Sequence, residues 1–210
     1  MIVGMLAGCD GSQTQAATMP QFAARQVLMA TGSGCGSQCC PALPGGTGIL
    51  PDGDFSQAPN PGDHTLFNTK GQVFAPYWEV SKKNVNFTGT AYWDVDGLCS
   101  VDLDGLVPGA ITTSAFPTKK GAAYTLAFVL SGNGGGPPTV KTMKVTVGNQ
   151  FTAFSWDTSG GNDAQNGDYA PETWTFRATK PLSVLTFTSE EHPKGGGYGA
   201  VIAGMAIKKN

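Results

Sequence analysis

The chain has 210 residues and a formal net charge of −2, and only 13 % of its side chains are charged. Such a balance offers no basic field to hold a phosphate backbone, which sets nucleic-acid binding aside. No apolar run approaches the roughly 18 residues of a membrane-spanning helix. Hydrophobic residues still make up 40 %, enough for a real core, and with 30 glycines the composition points to an exported β protein.

Met1–Ala7 is short and apolar, and Leu6-Ala7-Gly8-Cys9 resembles a bacterial lipobox. That sequence would make Cys9 a lipid anchor, with two or three acyl chains holding the protein to a membrane. No basic residue precedes the motif, so this expectation rests on the four residues alone. Gln21–Ala30 allows one short helix without a clear apolar stripe, and Thr31–Thr47 reads as a Gly-, Ser-, Pro- and Cys-rich linker. The expected organisation is a leader and linker over 1–47 and one domain over 48–210.

There are five cysteines: Cys9, Cys35, Cys39, Cys40 and Cys99. Cys35, Cys39 and Cys40 crowd one loop, where a local disulfide or a bridge to Cys99 is open in an exported chain. Cys99 falls on the apolar parity of its strand, and the preferred reading is a buried free thiol. A zinc site is set aside, because the cluster lacks a nearby His and a second Cys pair.

From Leu50 onward the signals are short alternating runs separated by turn residues. Pro76–Val80 carries Trp78, Val85–Thr88 is short, and Thr90–Asp94 brings Tyr92 and Trp93. In Cys99–Leu103 the apolar residues alternate with Ser100, Asp102 and Asp104, predicting one buried and one wet face. Ala110–Phe116, Ala123–Leu130, Met143–Val147 and Phe151–Trp156 follow, then a polar loop over Asp157–Pro171. Trp174–Ala178, Leu182–Ser189 and Ala200–Ile207 close the set. About ten short strands and no long helix predict an all-β, antiparallel two-sheet sandwich of jelly-roll type.

The order of motifs resembles one family. It comprises Trp78-Glu79-Val80, Asn84-Val85-Asn86, Ser100-Val101-Asp102-Leu103-Asp104-Gly105 and Pro108-Gly109-Ala110-Ile111. Then come Thr118, Gly121, Tyr124, Leu126 and Phe128, and Ser131-Gly132-Asn133. Together they resemble the plant cell-wall family named domain of unknown function 642 and its bacterial choice-of-anchor C relatives, from about Gly48 to Lys208. The resemblance implies a galactose-binding-like sandwich, secreted or at the cell surface, that touches wall polysaccharide. It implies no reaction.

The residues agree with a non-enzyme. The chain has no G-x-S-x-G elbow, no H-E-x-x-H and no phosphate-cradling glycine loop, and His64 and His192 lie far apart in loop-like sequence. Galactose-binding-like modules often carry a structural calcium held by their first and last strands, and Asp52 and Asp54 are the candidates here. Ala203 stands where the family's last strand usually has Asp. Sugars need an aromatic face with a few placed polar groups. The candidates are Tyr92, Trp93, Asp94, Asn162, Asp163, Tyr169 and Tyr198, with the outward member of Tyr92 and Trp93 as the platform. Trp78, Trp156 and Trp174 lie on strand parity and read as core. The first reading is therefore a non-catalytic carbohydrate-binding module contacting polysaccharide. The alternative is a structural or adhesive envelope protein that contacts other proteins and binds no sugar.

Overall fold

The computed structural model describes residues 39–191 and 196–210. Cys9, Cys35, the expected helix over 21–30 and His192 lie outside the described residues. The described residues contain fourteen strands: β1 (His64–Phe67), β2 (Val73–Ala75), β3 (Trp78–Lys82), β4 (Val85–Thr88), β5 (Ser100–Asp102), β6 (Ala110–Thr113) and β7 (Phe116–Pro117), then β8 (Ala123–Gly132), β9 (Val140–Val147), β10 (Gln150–Asp157), β11 (Ala170–Arg177), β12 (Leu182–Ser183), β13 (Leu185–Ser189) and β14 (Ala200–Lys209). One six-stranded sheet runs β1-β4-β5-β14-β8-β11 and the other β10-β9-β13-β6-β3-β2. Every ladder is antiparallel. The predicted all-β, two-sheet sandwich is the observed architecture.

The main core forms where the inward residues of both sheets meet. Phe87, Val101, Phe128 and Ile202 come from the first sheet, and Val80, Ile111, Val145 and Phe187 from the second. Phe128 and Phe187 touch edge to face across the gap, 5.6 Å between centroids. Phe55 joins the sheets, 5.5 Å from both Trp78 and Phe87. Edge-to-face geometry places a ring's positive rim on its neighbour's negative face.

A second apolar cluster lies on the outer face of the first sheet. Val129, Val201 and Ala203 project there, covered by Leu43, Trp93, Val95, Leu98 and Ala164. The first sheet is thus buried on both faces near its centre, and β14 is buried from Ala200 to Ile207.

This covering overturns three expectations. The polar side of β5 is not wet: Ser100, Asp102 and the following Asp104 are all fully buried. The run Thr90–Asp94 is a turn and loop laid over the sheet, not a strand. Residues 39–47 are not free linker either. Cys40 is buried and bonded to Cys99, and Leu43 packs into the second cluster while its N–H donates to Asp54 Oδ2 at 2.7 Å. The folded domain therefore begins at least as early as residue 39. Cys99 is a disulfide partner rather than a free thiol. Its apolar parity was read correctly, but a buried half-cystine occupies the same position as a buried thiol.

Candidate functional site

At one end of the sandwich the segment 158–169 links β10, an edge of the second sheet, to β11, an edge of the first. Two sheet edges that do not pair leave a gap. Here that gap is a cleft of ≈ 440 Å³ lined by Ser155, Trp156, Asp157, Asn162, Asp168, Tyr169 and Glu172. The Trp156 ring is half-buried, packed on the main core, and its indole N–H donates to the Asn162 carbonyl at 2.8 Å. The loop thus fixes the orientation of the ring. On the facing edge Glu172 shares strand parity with Trp174 and Phe176.

Short-range contacts hold the loop in place. Asp163 caps a 3-10 turn, Ala164–Asn166, by accepting from the Gln165 and Asn166 amides. It is buried against Gly134, where an added Cβ would lie 1.9 Å from its Oδ2. Tyr169 donates to Asp96 Oδ1 at 2.9 Å, and burial with that hydrogen bond pushes its phenol up to about 12. Tyr169 thus stays neutral at physiological pH. Burial alone raises the Glu172 carboxyl, while hydrogen bonds from Ser159 lower Asp157.

The structure brings together only part of the predicted set. Asn162 and Tyr169 line the cleft. Asp163 is buried and acts as a turn cap. Trp93 is 2 % exposed inside the second cluster, so it offers no platform, and its indole N–H has no partner. Tyr92 is the outward member, 44 % exposed, its ring tilted against His64 with the centroids 5.0 Å apart. Asp94 anchors its own turn by accepting from the Gly97 amide. Tyr198 lies over Gly135 and Gly136, its ring centroid 5.9 Å from Lys141 Nζ. Sequence reasoning missed Trp156 as a lining residue, and with it Asp157, Asp168 and Glu172. A glutamate on the inward parity of β11 was the available signal.

Beneath Tyr198 lies a buried polar group that the sequence did not announce. Asp102 accepts from the Asp104 and Gly199 amides and the Asn133 side chain, yet burial raises it to about 7. Neither Asp104 oxygen has a hydrogen bond of normal geometry. Burial raises Asp104 to about 6 although the Ser189 hydroxyl, Lys141 and Lys82 pull it down. Lys141, fully buried on the inward parity of β9, donates to the Gly136 carbonyl at 2.7 Å, and burial lowers its pKa.

The calcium candidates serve as backbone anchors. Both Asp54 oxygens accept backbone amides, from Leu43 and Ser56, and Asp52 Oδ1 accepts Gln57 N–H. Only Asp52 Oδ2 is left, and burial raises that carboxyl to about 7. Calcium needs six to eight oxygens. Among the described residues no three His, Cys, Asp or Glu side chains converge to hold a metal.

A family described as "Protein of unknown function (DUF642)" matches residues 48–208. The chain belongs to this family. The DUF642 match covers both sheets and the cleft, and it confirms the resemblance drawn from the motif order. Halomucin of Haloquadratum walsbyi is 28 % identical over 130 residues, which is 62 % of this chain but 1 % of Halomucin. In outline the DUF642 domain is similar to solved carbohydrate-binding modules. A family 35 module from Clostridium thermocellum has TM-score 0.42 and 14 % identity, covering 72 % of this chain and 95 % of the module. A family 35 module from Paenibacillus barcinonensis has TM-score 0.44 and 11 % identity, covering 70 % and 99 %. A family 6 module from a Cellvibrio mixtus lichenase, solved with cellotriose, has TM-score 0.36 and 12 % identity, covering 53 % and 78 %. Among the described residues no helix is long and apolar enough to cross a membrane.

Proposed function

We propose that this DUF642 chain is a non-catalytic glycan-binding module of an exported protein, displayed at the cell surface or secreted. The observation that carries the reading is the cleft between β10 and β11. Its Trp156 ring is pinned, and Asn162, Tyr169, Ser155 and three carboxylates surround it. An aromatic wall takes the C–H face of a sugar while the amide, phenol and carboxylates take hydroxyls. The Cys40–Cys99 disulfide supports export, since such bonds persist in oxidising compartments. The reading includes a lipid anchor at Cys9, supported by the Leu-Ala-Gly-Cys sequence.

The test is retention of the full chain on immobilised polysaccharides of several classes, followed by titration with the soluble oligosaccharide of the class that binds. Trp156→Ala should weaken binding tenfold or more. Trp156 also packs on the core, so Asn162→Ala, at an exposed side chain, serves as the second variant. Binding that survives both changes in folded protein would move the site elsewhere. No binding to any class would favour the protein-contact reading, whose support is the edge strand β10 with Phe151 68 % exposed.

A further inference from the structure

The charge of the cleft narrows the ligand. Its lining residues include Asp157, Asp168 and Glu172, and no Lys, Arg or His. Among the described residues the side chains of Asp168 and Glu172 have no hydrogen-bond or ion-pair partner. Glu172 is half-buried on the inward parity of its strand, so its charge has lost water without gaining a donor. The three carboxylates do not converge as a metal cage. They line a cleft that also presents the Trp156 ring, Asp157 from β10 and Glu172 from β11.

Three kinds of glycan meet this surface differently. A uronate or sulfate would bring like charge against three carboxylates. A neutral sugar would leave Glu172 without a counter-charge. An ammonium group would gain both carboxylate hydrogen bonds and the negative face of the indole. Amines repeated along a sugar chain would offer partners both to Asp157 of β10 and to Glu172 of β11.

We infer that the cleft selects glycans carrying free amino groups, 2-amino-2-deoxyhexose chains in particular, over neutral and acidic ones. The inference rests on the cleft being the glycan site.

The experiment is calorimetric titration of the full chain at pH 6 with three probes: a β-1,4-linked glucosamine hexamer, its fully N-acetylated counterpart and an oligogalacturonate. The glucosamine hexamer should bind at least tenfold more tightly than the N-acetylated one, and the oligogalacturonate should not bind. The near-isosteric Glu172→Gln should shrink that preference several-fold, because it removes the charge that distinguishes the amine from the acetamide. Equal or tighter binding of the N-acetylated hexamer, weakened by Asn162→Ala, would overturn the amine preference and leave the glycan reading standing. A glucosamine preference unchanged in Glu172→Gln would also overturn it, since attraction to the net charge of −2 would then suffice. Absence of binding to any glycan would remove both readings together.

Discussion

Asp104 shows how one carboxylate can set a pH dependence. Its oxygens are buried without a hydrogen bond of normal geometry, and Asp52 and Asp102 sit in comparable burial. All three have folded pKa values of about 6 to 7 against a reference of 3.8. The folded state therefore holds more protons than the unfolded chain between about pH 4 and pH 7. Linkage then gives stability that is full at the acid end and is lost as pH rises through 6 to 7. Asp104→Asn removes the charge while keeping the shape. It should raise the melting temperature at pH 8 relative to the native chain, with the gain fading toward pH 4. A gain of equal size across that range would show that the carboxylate's ionisation is not its cause.

At the scale of elements, the strands were legible wherever alternation met a simple two-sided environment. Met143, Val145 and Val147 read inward, and they are buried in β9. Lys141 lies on the same parity, so its burial was readable too, as was that of Glu172 on β11. What alternation could not show is the cover on the outer face of the first sheet. The segment around Trp93 and Val95 has no period of its own, and only tertiary packing makes it a lid over β8 and β14, beside β5. That is why Ser100 and Asp102 read as wet, and why Trp93 stood beside Tyr92 as a candidate platform. The cleft was half-legible for a related reason. Asn162 and Tyr169 stand out in a polar loop, whereas Trp156 joins them only because two sheet edges part at that corner. The loop itself depends on Gly134. Gly134→Ala would drive a methyl into Asp163 and loosen the cap on Ala164–Asn166. The Gln165 and Asn166 amides should then exchange hydrogen faster by at least tenfold, and glycan retention should fall. Protection unchanged in that variant would show that the close contact does not hold the loop.

For the whole molecule, the Cys40–Cys99 bond closes a loop of 59 residues in the unfolded chain. The chain-entropy model assigns about 4 kcal/mol to a closure of that length. Replacing both cysteines by serine should lower the unfolding free energy by about that amount, read from the denaturant midpoint at unchanged slope. A midpoint that does not move would show that the unfolded chain is already compact there. The same bond has a mechanical consequence. Tension arriving along the N-terminal segment does not pass through residues 41–98 in turn. It crosses at Cys40 to Cys99 and enters the sheet beside β5, between β4 and β14. About 200 Å of contour length stays out of the pull, at roughly 3.5 Å per extended residue. A protein tethered at one end and gripping a polymer at the other would thus stretch less before it let go, with β1 to β4 sheltered inside the covalent loop.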